Sequence, residues 1–576
     1  MPTRYPDHPT DPTQEIAMSP SRDAGIGRRA VLAGTVAGAA SALTGLTPTS
    51  AQARSHTQSA FGTIRNDTFW HDTDGNPIYS QGGGVFRFGD RYYWYGVRYA
   101  GGELYYANPT RRYDTYATFV AITAYSSSDL VNWTFEGNIA TTATPLHIPP
   151  SKDVAGDSLS RVKTLSDTSW LGRLGVMYNP NTRKYVLVTQ MKSAFDENPT
   201  GRALLFLQSD TPTGDFTYAD IQTHIENVGH QGTGDQTVFT DDDGSSYLVF
   251  SNPSGRQNSY ISKISDADSL SIEPAKKVGY TPAGREGNAM FKLNGIYYIA
   301  TSDLHGWNSS HTYIIESRTQ DILGEYSSEY ILPGTEKDYS HVTQTGFFIT
   351  IKGTKQDAVI YAGDRWADFA WNGLGYNQWV PLSMRAGRLI FHSLSEWKLN
   401  ARTGQWREGR GNNYILNPDF AADRVPVTTL TGWTTTIDTG FSTNPFLSTT
   451  SPGANGSRFA ATLGSPGAFS GSVSQEFDVP PGIYRLTATA RATQELRYAR
   501  IMVRGGRGES YVLDLTQTTY GWQERALGNL CLTSGRVSIS IEARSQAPDQ
   551  KVFVDSLSLV RAGTGTGTSQ PTSTAN

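Results

Sequence analysis

The stretch Asp90-Arg91-Tyr92-Tyr93-Trp94-Tyr95-Gly96 decides the fold, because in it a polar turn runs directly into a short strand of aromatic residues. Four more stretches repeat this pattern, namely residues 183–188, 244–250, 294–300 and 356–362. The copies recur at intervals of roughly fifty to ninety residues, a spacing typical of propeller blades rather than of isolated strands. We therefore predict an all-β fold: a five-bladed β-propeller, closed around an axis on which carboxylates from different blades converge.

The chain of 576 residues is too long for one ordinary core, so we expect more than one domain. Residues 61–409 carry the repeats and form the predicted propeller. After a polar, glycine-rich linker, residues 414–561 contain short alternating strands and predict a β-sandwich of the jelly-roll type. Residues 562–576 are rich in glycine, threonine and serine and are predicted to be a disordered tail.

Residues 1–53 contain the three parts of an export signal in the right order. Arg28 and Arg29 precede an apolar stretch, residues 33–46, that is too short to span a bilayer stably, and Ala51-Gln52-Ala53 fits a cleavage site. The arginine pair indicates the twin-arginine route. We therefore expect a secreted protein. The alternative is a disordered tail with a chance arginine pair.

Composition excludes several classes of partner. A net charge of −4 without a long basic run makes nucleic acid and anionic membranes poor partners. Cys531 is the single cysteine, so no internal disulfide can form, and a zinc or iron–sulfur site is not expected. No cofactor is predicted; calcium is possible in either domain, but no ligand pattern supports it. We expect a monomer.

Two carboxylates stand in glycine-rich turns just before repeat strands. Glu286 lies in Gly284-Arg285-Glu286-Gly287, before the fourth repeat, and Asp235 lies in Gly232-Thr233-Gly234-Asp235, before the third. Such groups suit glycoside hydrolysis, which needs an acid for the leaving oxygen and a base or nucleophile at the anomeric carbon. On local pattern alone, Glu286 could instead pair with Arg285 on the surface, and Asp235 could cap turn amides.

Three further motifs resemble glycoside hydrolase family 43. They are Gly82-Gly83-Gly84-Val85 followed by the first repeat, residues 127–133, and Gly363-Asp364-Arg365-Trp366. Within the family, the pattern resembles the exo-β-1,3-galactanase subgroup most closely. The resemblance implies that Glu286 is the general acid and that Asp235 modulates its pKa. It also implies that Gln344 replaces the usual base, with inversion at the anomeric carbon. A neutral amide is a poor base, so Gln344 would either position the attacking water or act through its imidic tautomer. The alternative is a buried amide that satisfies backbone groups.

The comparison with that subgroup shows agreements and departures. The stretch Gly82-Gly83-Gly84 stands where the wider family has its base aspartate, as in the subgroup. Gly234 replaces an arginine, and Thr343 replaces a serine. Val97 replaces a glutamate that contacts the substrate, so either Glu103 or Asp114 restores the contact or the sugar differs.

Four side chains near these motifs are predicted to contact the substrate: Gln81, Glu103, Trp307 and Arg365. The aromatic ring of Trp307 suits stacking on a sugar, although packing in the core is the alternative. Asp364 and Arg365 could form a carboxylate–arginine pair that lines the axis, but a mainly structural role is expected for them. His305 and His341 are further candidates for the base, since an unperturbed histidine titrates near neutrality, although a lone histidine is more often structural.

Residues 414–561 resemble carbohydrate-binding modules with a galactose-binding-like jelly-roll. The resemblance rests on Leu416-Asn417-Pro418-Asp419-Phe420, on Gly432-Trp433 and on the closing stretch at residues 552–560. The alternative is a stabilising sandwich without a ligand.

Together these features predict a secreted, exo-acting and inverting glycoside hydrolase whose substrate is β-1,3-galactan or galactan side chains of plant polysaccharide. One alternative is an α-L-arabinofuranosidase or β-xylosidase of the same family. The other is a non-catalytic propeller that binds carbohydrate.

Overall fold

The structure is a computed structural model that describes residues 61–108, 118–154, 156, 158–195, 203–228, 232–306, 308–366, 376–422, 429–441, 446–457, 459–533 and 535–563. The predicted export signal, Asp114, Trp307 and residues 564–576 of the predicted tail lie outside the described residues. The last strand runs to Gly563, two residues into that predicted tail.

The chain is nearly all-β, as predicted. Strand β1 (Gly62–Arg65) precedes five antiparallel sheets, each of four consecutive strands. Sheet 1 contains β2 (Gln81–Phe88), β3 (Arg91–Tyr99), β4 (Phe119–Ser127) and β5 (Thr134–Thr141). Sheet 2 contains β6 (Thr168–Asn179), β7 (Lys184–Ser193), β8 (Ala203–Ser209) and β9 (Thr217–Gln222). Sheet 3 contains β10 (Gln236–Thr240), β11 (Ser246–Ser251), β12 (Asn258–Lys263) and β13 (Lys276–Tyr280).

The last two of the five sheets have the same order. Sheet 4 contains β14 (Glu286–Leu293), β15 (Ile296–Ser302), β16 (Thr312–Glu316) and β17 (Tyr330–Ile331). Sheet 5 contains β18 (Gln344–Ile351), β19 (Ala358–Arg365), β20 (Tyr376–Arg385) and β21 (Arg388–Phe391). Strands β22 (Glu396–Asn400) and β23 (Gln405–Glu408) then form a three-stranded sheet with β1, which brings the two ends of the repeat region together.

Helical structure is scarce among the described residues. Helix α1 (Ala100–Ala107) follows β3, and α2 (Tyr339–Val342) is a single turn before β18. Three short 3₁₀ turns lie between β5 and β6, at Pro150–Lys152, Leu159–Arg161 and Leu165–Asp167. No helix in the described ranges is long and apolar enough to cross a membrane.

Each of the five repeated stretches forms a turn and the second strand of one sheet, namely β3, β7, β11, β15 and β19. These strands are buried on both faces, because apolar clusters fill the spaces between successive sheets. One cluster lies between sheets 1 and 2, and others lie between sheets 2 and 3, 3 and 4, and 4 and 5. A further cluster joins sheet 5 back to sheet 1, where Trp94 and Trp379 approach to 4.8 Å between ring centroids.

The first strands of the five sheets begin at one end of this arrangement, and four of them begin with a β-bulge. A bulge kinks the strand and changes the direction in which the next side chain points. In β2 the irregularity coincides with the three glycines. A Cβ at Gly83 would lie 1.9 Å from the carbonyl oxygen of Tyr95, whereas a Cβ at Gly82 would meet nothing closer than 3.5 Å. Only glycine therefore fits at position 83.

The C-terminal region forms two five-stranded antiparallel sheets that share one apolar core, here called the C-terminal sheet pair. Its strands are β24 (Thr434–Ile437), β25 (Leu447–Thr450), β26 (Ala460–Gly464), β27 (Phe469–Val479), β28 (Gly482–Ala492), β29 (Tyr498–Gly505), β30 (Ser510–Asp514), β31 (Gln523–Leu532), β32 (Gly535–Ser545) and β33 (Lys551–Gly563). The orders are β24-β27-β32-β29-β30 and β25-β26-β33-β28-β31. Tyr414, Ile415 and Phe420, which precede these strands, are buried in the same core.

Candidate active site

A cavity of about 210 Å³ lies where the first strands of sheets 2 to 5 begin. Its lining combines two carboxylates, two guanidinium groups, two amides and two indole rings: Trp170, Arg173, Gln190, Asp235, Arg256, Glu286, Gly306, Gln344 and Trp366. Convergent polar groups in a concave site are the features expected of an active site.

A larger cavity, of about 690 Å³, lies at the opposite ends of the same strands. Its walls are largely apolar, with Val85, Val238 and Met290 among them. On its rim, Lys292 is paired with Asp241 at 2.7 Å. Burial would raise the pKa of Asp241, but hydrogen bonds from Lys292 and Tyr297 lower this pKa below its usual value, so the carboxylate stays ionised. The smaller cavity is therefore the better candidate for acid–base chemistry.

Glu286 occupies the first position of β14 and is buried. Its Oε1 accepts a hydrogen bond of 2.6 Å from Nε2 of Gln344, and its Oε2 contacts the guanidinium group of Arg256. Burial and the nearby Asp235 carboxylate raise the pKa of Glu286 to about 7, although the neighbouring guanidinium groups oppose the change. The carboxyl group is therefore largely protonated below neutral pH, as a general acid requires.

Asp235 precedes β10 and faces the same cavity. Its Oδ2 accepts a hydrogen bond of 3.0 Å from the backbone N–H of Gly287 and lies 2.9 Å from Nη2 of Arg173. Its Oδ1 lies 3.4 Å from Nη1 of Arg256. These three contacts hold the carboxylate in place beside Glu286.

The amide group of Gln344 has only one orientation that satisfies its neighbours. Its oxygen accepts hydrogen bonds from Nη2 of Arg173 at 2.6 Å and from Nε1 of Trp366 at 3.0 Å. Both of these groups are donors only, so the amide nitrogen must point to Glu286. Gln344 therefore presents an N–H donor, and not an oxygen, to the acid.

Arg173 connects three of the five sheets through its guanidinium group. Besides Asp235 and Gln344 it binds Oδ2 of Asp364, on β19, at 3.0 Å. Arg173 has a φ of 50° and lies in the bulge of β6, where the chain departs from regular pairing with β7. Burial raises the pKa of Asp364 above its usual value, and Arg173 opposes this.

The predicted site residues fall into two groups. Glu286, Asp235 and Gln344 come together in the cavity, and their catalytic roles stay predictions. Glu103 pairs instead with Arg98 at 2.6 Å, on helix α1. Gln81 is buried at the start of β2, opposite Val97, and is not among the lining residues.

A carboxylate–arginine pair between Asp364 and Arg365 does not describe how these side chains are used. Successive residues of a strand point to opposite faces, so Asp364 binds Arg173 while Arg365 contacts Asp67 and Asp419. Arg365 is buried among these carboxylates, outside the set of lining residues.

The two candidate histidines are also held by other groups. Nδ1 of His305 lies 3.2 Å from the carbonyl oxygen of Ser309. Burial alone would lower the pKa of His341, but the carboxylates of Asp67 and Asp338 raise it to about 10. At neutral pH the imidazole of His341 is therefore charged and cannot serve as a base.

Sequence reasoning missed Arg173, Arg256, Trp170 and Gln190. A signal for Arg173 does exist, since Leu171-Gly172-Arg173-Leu174-Gly175 places a charged side chain inside a buried apolar strand. A buried charge is retained only where partners compensate it. Arg256 lies in a turn between β11 and β12, and no local pattern distinguishes it from a surface arginine.

Helix α2 is left-handed, which is unusual for residues other than glycine. Tyr339, Ser340, His341 and Val342 have φ values of 48°, 57°, 57° and 58°. This conformation costs roughly 1–2 kcal/mol per residue for side chains with a Cβ. The turn ends at Thr343, immediately before Gln344, so the strained backbone leads directly into the site.

Residues 96–366 match the family model described as Glycosyl hydrolases family 43. The domain that contains the site belongs to this family, and the protein is a glycoside hydrolase.

Solved structures resemble the chain over most of its length. An exo-β-1,3-galactanase from Phanerochaete chrysosporium, solved with galactose, is 21% identical with a TM-score of 0.49, over 86% of this chain and 100% of that one. The exo-β-1,3-galactanase 1,3Gal43A from Clostridium thermocellum is 20% identical with a TM-score of 0.49, over 87% and 100%.

An arabinoxylan arabinofuranohydrolase of family 43 from Bacillus subtilis is 16% identical with a TM-score of 0.37, over 84% and 96%. No curated protein matches the chain. At this level of likeness, the activities named are those of the other proteins alone.

The pKa of Glu286 predicts the pH dependence of the enzyme. Because the acid must be protonated, kcat/KM of the wild type should fall above about pH 7. The variant Asp235→Asn loses the negative charge beside Glu286, so the pKa of Glu286 should fall. The descending limb of the pH profile of kcat/KM should therefore move to lower pH by about one unit. The measurement is kcat/KM against pH on a chromogenic glycoside. Asp241→Asn, which removes a carboxylate at the far end of the strands, is the control. If the descending limb of Asp235→Asn coincides with that of the wild type, Asp235 does not raise the pKa of Glu286.

The pKa of His341 predicts a loss of stability at alkaline pH. A folded-state pKa of about 10 exceeds the unfolded value, so the charged imidazole stabilises the fold at low pH, and this contribution is lost as the pH rises. Between about pH 7 and 9, the free energy of unfolding should fall by up to about 1.4 kcal/mol per pH unit from this residue.

Urea unfolding of the wild type and His341→Gln at each pH measures this contribution. The variant should show a shallower slope. His392→Gln is the control, because burial lowers the pKa of His392 and moves its contribution to acid pH. Equal slopes in the wild type and His341→Gln would exclude the proposed ion pairs as the cause.

Proposed function

We propose that the protein is an exo-acting, inverting hydrolase of β-1,3-galactan or of galactan side chains. The observation that carries this proposal is the hydrogen bond between Gln344 and Glu286, because it places an amide where a second carboxylate would be expected. The glycines at the start of β2 agree with it, since they offer no carboxylate from sheet 1. The proposal is also supported by the position of Glu286, Asp235 and Gln344, the three residues to which the resemblance gives these roles, in the lining of one cavity.

The hydrogen bond between Gln344 and Glu286 must break before a sugar can lie between them and react. Inverting glycosidases hold the acid and the water-side group about 6.5–9.5 Å apart, whereas Glu286 and Gln344 are in direct contact. The amide of Gln344 is fixed by two donors, so Glu286 is the side chain that moves. When the sugar separates the pair, the freed N–H of Gln344 can hold a water molecule by its oxygen.

The reaction then follows from these positions. The protonated Glu286 gives its proton to the glycosidic oxygen as the bond to the anomeric carbon breaks, and the water oxygen bonds to that carbon from the opposite face. The attacking water releases one of its protons to bulk solvent, and Glu286 takes up a new proton from the solvent. Since the oxygen of Gln344 already accepts from Arg173 and Trp366, it has no free position for the proton of an imidic tautomer. Positioning of water is therefore the role we assign to Gln344.

A second candidate is a carbohydrate-binding protein without turnover, and one observation favours it. Oε2 of Glu286 contacts the guanidinium group of Arg256, and this contact favours the ionised form, which cannot act as an acid. Burial and the Asp235 carboxylate thus favour the protonated form of Glu286, whereas Arg256 favours the ionised form. Turnover decides between the two candidates.

Product release separates these candidates. The wild type should release galactose from β-1,3-galactan, and Glu286→Gln should lower kcat on the order of 10²–10⁴-fold, the usual contribution of a general acid. Aryl galactosides, whose leaving group needs little protonation, should lose less. Glu329→Gln is the control, because Glu329 binds Arg285 at 2.7 Å, beside Glu286 in sequence but outside the cavity lining.

Aryl arabinofuranoside and xyloside are tested in parallel with galactan. Activity on one of these alone would keep the acid and exclude the galactan assignment. Binding of galacto-oligosaccharide without turnover, unchanged in Glu286→Gln, would establish the non-catalytic alternative.

We also propose that the five sheets are the blades of a closed five-bladed propeller. The apolar clusters between successive sheets, together with the cluster between sheets 5 and 1, support this. The C-terminal sheet pair is proposed as a jelly-roll sandwich that binds carbohydrate, and residues 1–53 as a twin-arginine signal. N-terminal sequencing of protein from the culture medium tests export, with a start at Arg54 expected.

A further inference from the structure

The left-handed turn Tyr339–Val342 requires an explanation, because its conformation is unfavourable for all four of its residues. Val342 is β-branched, and such a residue at positive φ is an outlier. Backbone of this kind persists only where surrounding contacts hold it, and it is concentrated at functional sites. Here it ends one residue before Gln344.

Contacts within the repeat region hold the turn from two sides. The carboxylate of Asp338 accepts a hydrogen bond of 3.0 Å from the backbone N–H of His341, and it also binds the hydroxyl of Ser393. On the other side, Nε2 of His341 lies 3.4 Å from Oδ1 of Asp67. The side-chain nitrogen of Gln378 donates both to Asp67 and to the carbonyl oxygen of His341, at 3.1 and 3.2 Å.

The same network continues into the C-terminal sheet pair. Arg365 places Nη1 3.5 Å from Oδ1 of Asp67 and Nη2 3.3 Å from Oδ2 of Asp419. The residue after Asp419 is Phe420, which is buried in the core of the sheet pair. Asp419 is therefore fixed to that core and reaches the turn through Arg365 and Asp67.

A second contact reaches the start of the turn. Gly432, which is followed by the buried Trp433, packs so closely that a Cβ at this position would lie 2.2 Å from the carbonyl oxygen of Lys337. Lys337 precedes Asp338, the residue that caps the turn. The C-terminal sheet pair thus touches this segment by backbone packing as well as by charge.

We propose that the C-terminal sheet pair positions Gln344 by bracing the left-handed turn through Asp419, Arg365 and Asp67. This inference rests on the proposed function, in which Gln344 holds the attacking water. His341, Asp67, Arg365 and Asp419 are positioning residues in it, since they act through the backbone of the turn and are not among the cavity's lining residues. The sheet pair is then part of the hydrolytic apparatus, whether or not it binds carbohydrate itself.

Two substitutions and their combination test the proposal in the full-length protein. Asp419→Asn removes the charge facing Arg365 but can keep the hydrogen bond from the N–H of Ala421 to this side chain. His341→Gln removes the charge facing Asp67. Glu542→Gln, which removes a carboxylate bound to Arg500 and Arg504 on the C-terminal sheet pair, is the matched control.

Each single variant should lower kcat about tenfold with KM within about twofold of the wild type, because misplacement of a positioned group slows the chemical step more than it weakens binding. The double variant should lose less than the product of the two effects, since both act on one network. Glu542→Gln should keep the kinetic constants of the wild type. Measurements well below the melting temperatures exclude loss by unfolding.

Hydrogen exchange provides a readout that does not need turnover. The backbone amides of residues 339–345 should exchange faster in Asp419→Asn, while those of β14 and β19 stay protected. Unchanged exchange and unchanged kcat in both variants would overturn the proposal while leaving the galactanase assignment intact. Faster exchange in Asp419→Asn, together with a wild type that hydrolyses none of the glycosides, would instead refute the proposed function and keep the structural link between Asp419 and the turn.

Discussion

The guanidinium group of Arg173 is the interaction on which the site depends. It lies among the starts of three sheets and binds two carboxylates and an amide oxygen at 2.6 to 3.0 Å. A buried charge of this kind is stable only while its partners remain, and removing one partner of a buried pair typically costs about 3–5 kcal/mol. The positions of Asp235, Asp364 and Gln344 are therefore linked, because each depends on the same cation.

The balance of charge around Arg173 explains the state of the acid. Three carboxylates, those of Asp235, Glu286 and Asp364, share two guanidinium groups in a buried region. With every group ionised, one negative charge is uncompensated, and burial makes such an excess costly. Binding one proton removes it, and burial together with the Asp235 carboxylate raises the pKa of Glu286, so this carboxyl group takes the proton. A neutral sugar brings no charge, so the proton can stay in place until the glycosidic oxygen takes it.

The local sequence pattern was sufficient to predict the strands, but not to predict the network of ion pairs and hydrogen bonds around the site. The aromatic stretch from Asp90 to Gly96 predicts a strand because alternation and turn residues lie within a few positions of each other. The same local signals place Glu286 and Asp235 in turns before strands, but their roles were inferred from the resemblance to glycoside hydrolase family 43. Arg256 could not be found, because its partners Asp235 and Glu286 are 21 or more positions away in sequence. The left-handed turn before Gln344 could not be found either: Tyr, Ser, His and Val give no local preference for positive φ, and contacts from distant segments impose it.

The close packing of the glycines at the start of β2 limits which substitutions this strand can accept. A side chain at position 83 is blocked by backbone, and one at 84 requires the ring of Phe86 to move. At position 82 there is space, and the direction is toward Arg173 and Trp366. Aspartate tolerates positive φ better than most residues. Position 82 is therefore the place on this strand where a carboxylate could be introduced into the site with the least displacement of the backbone.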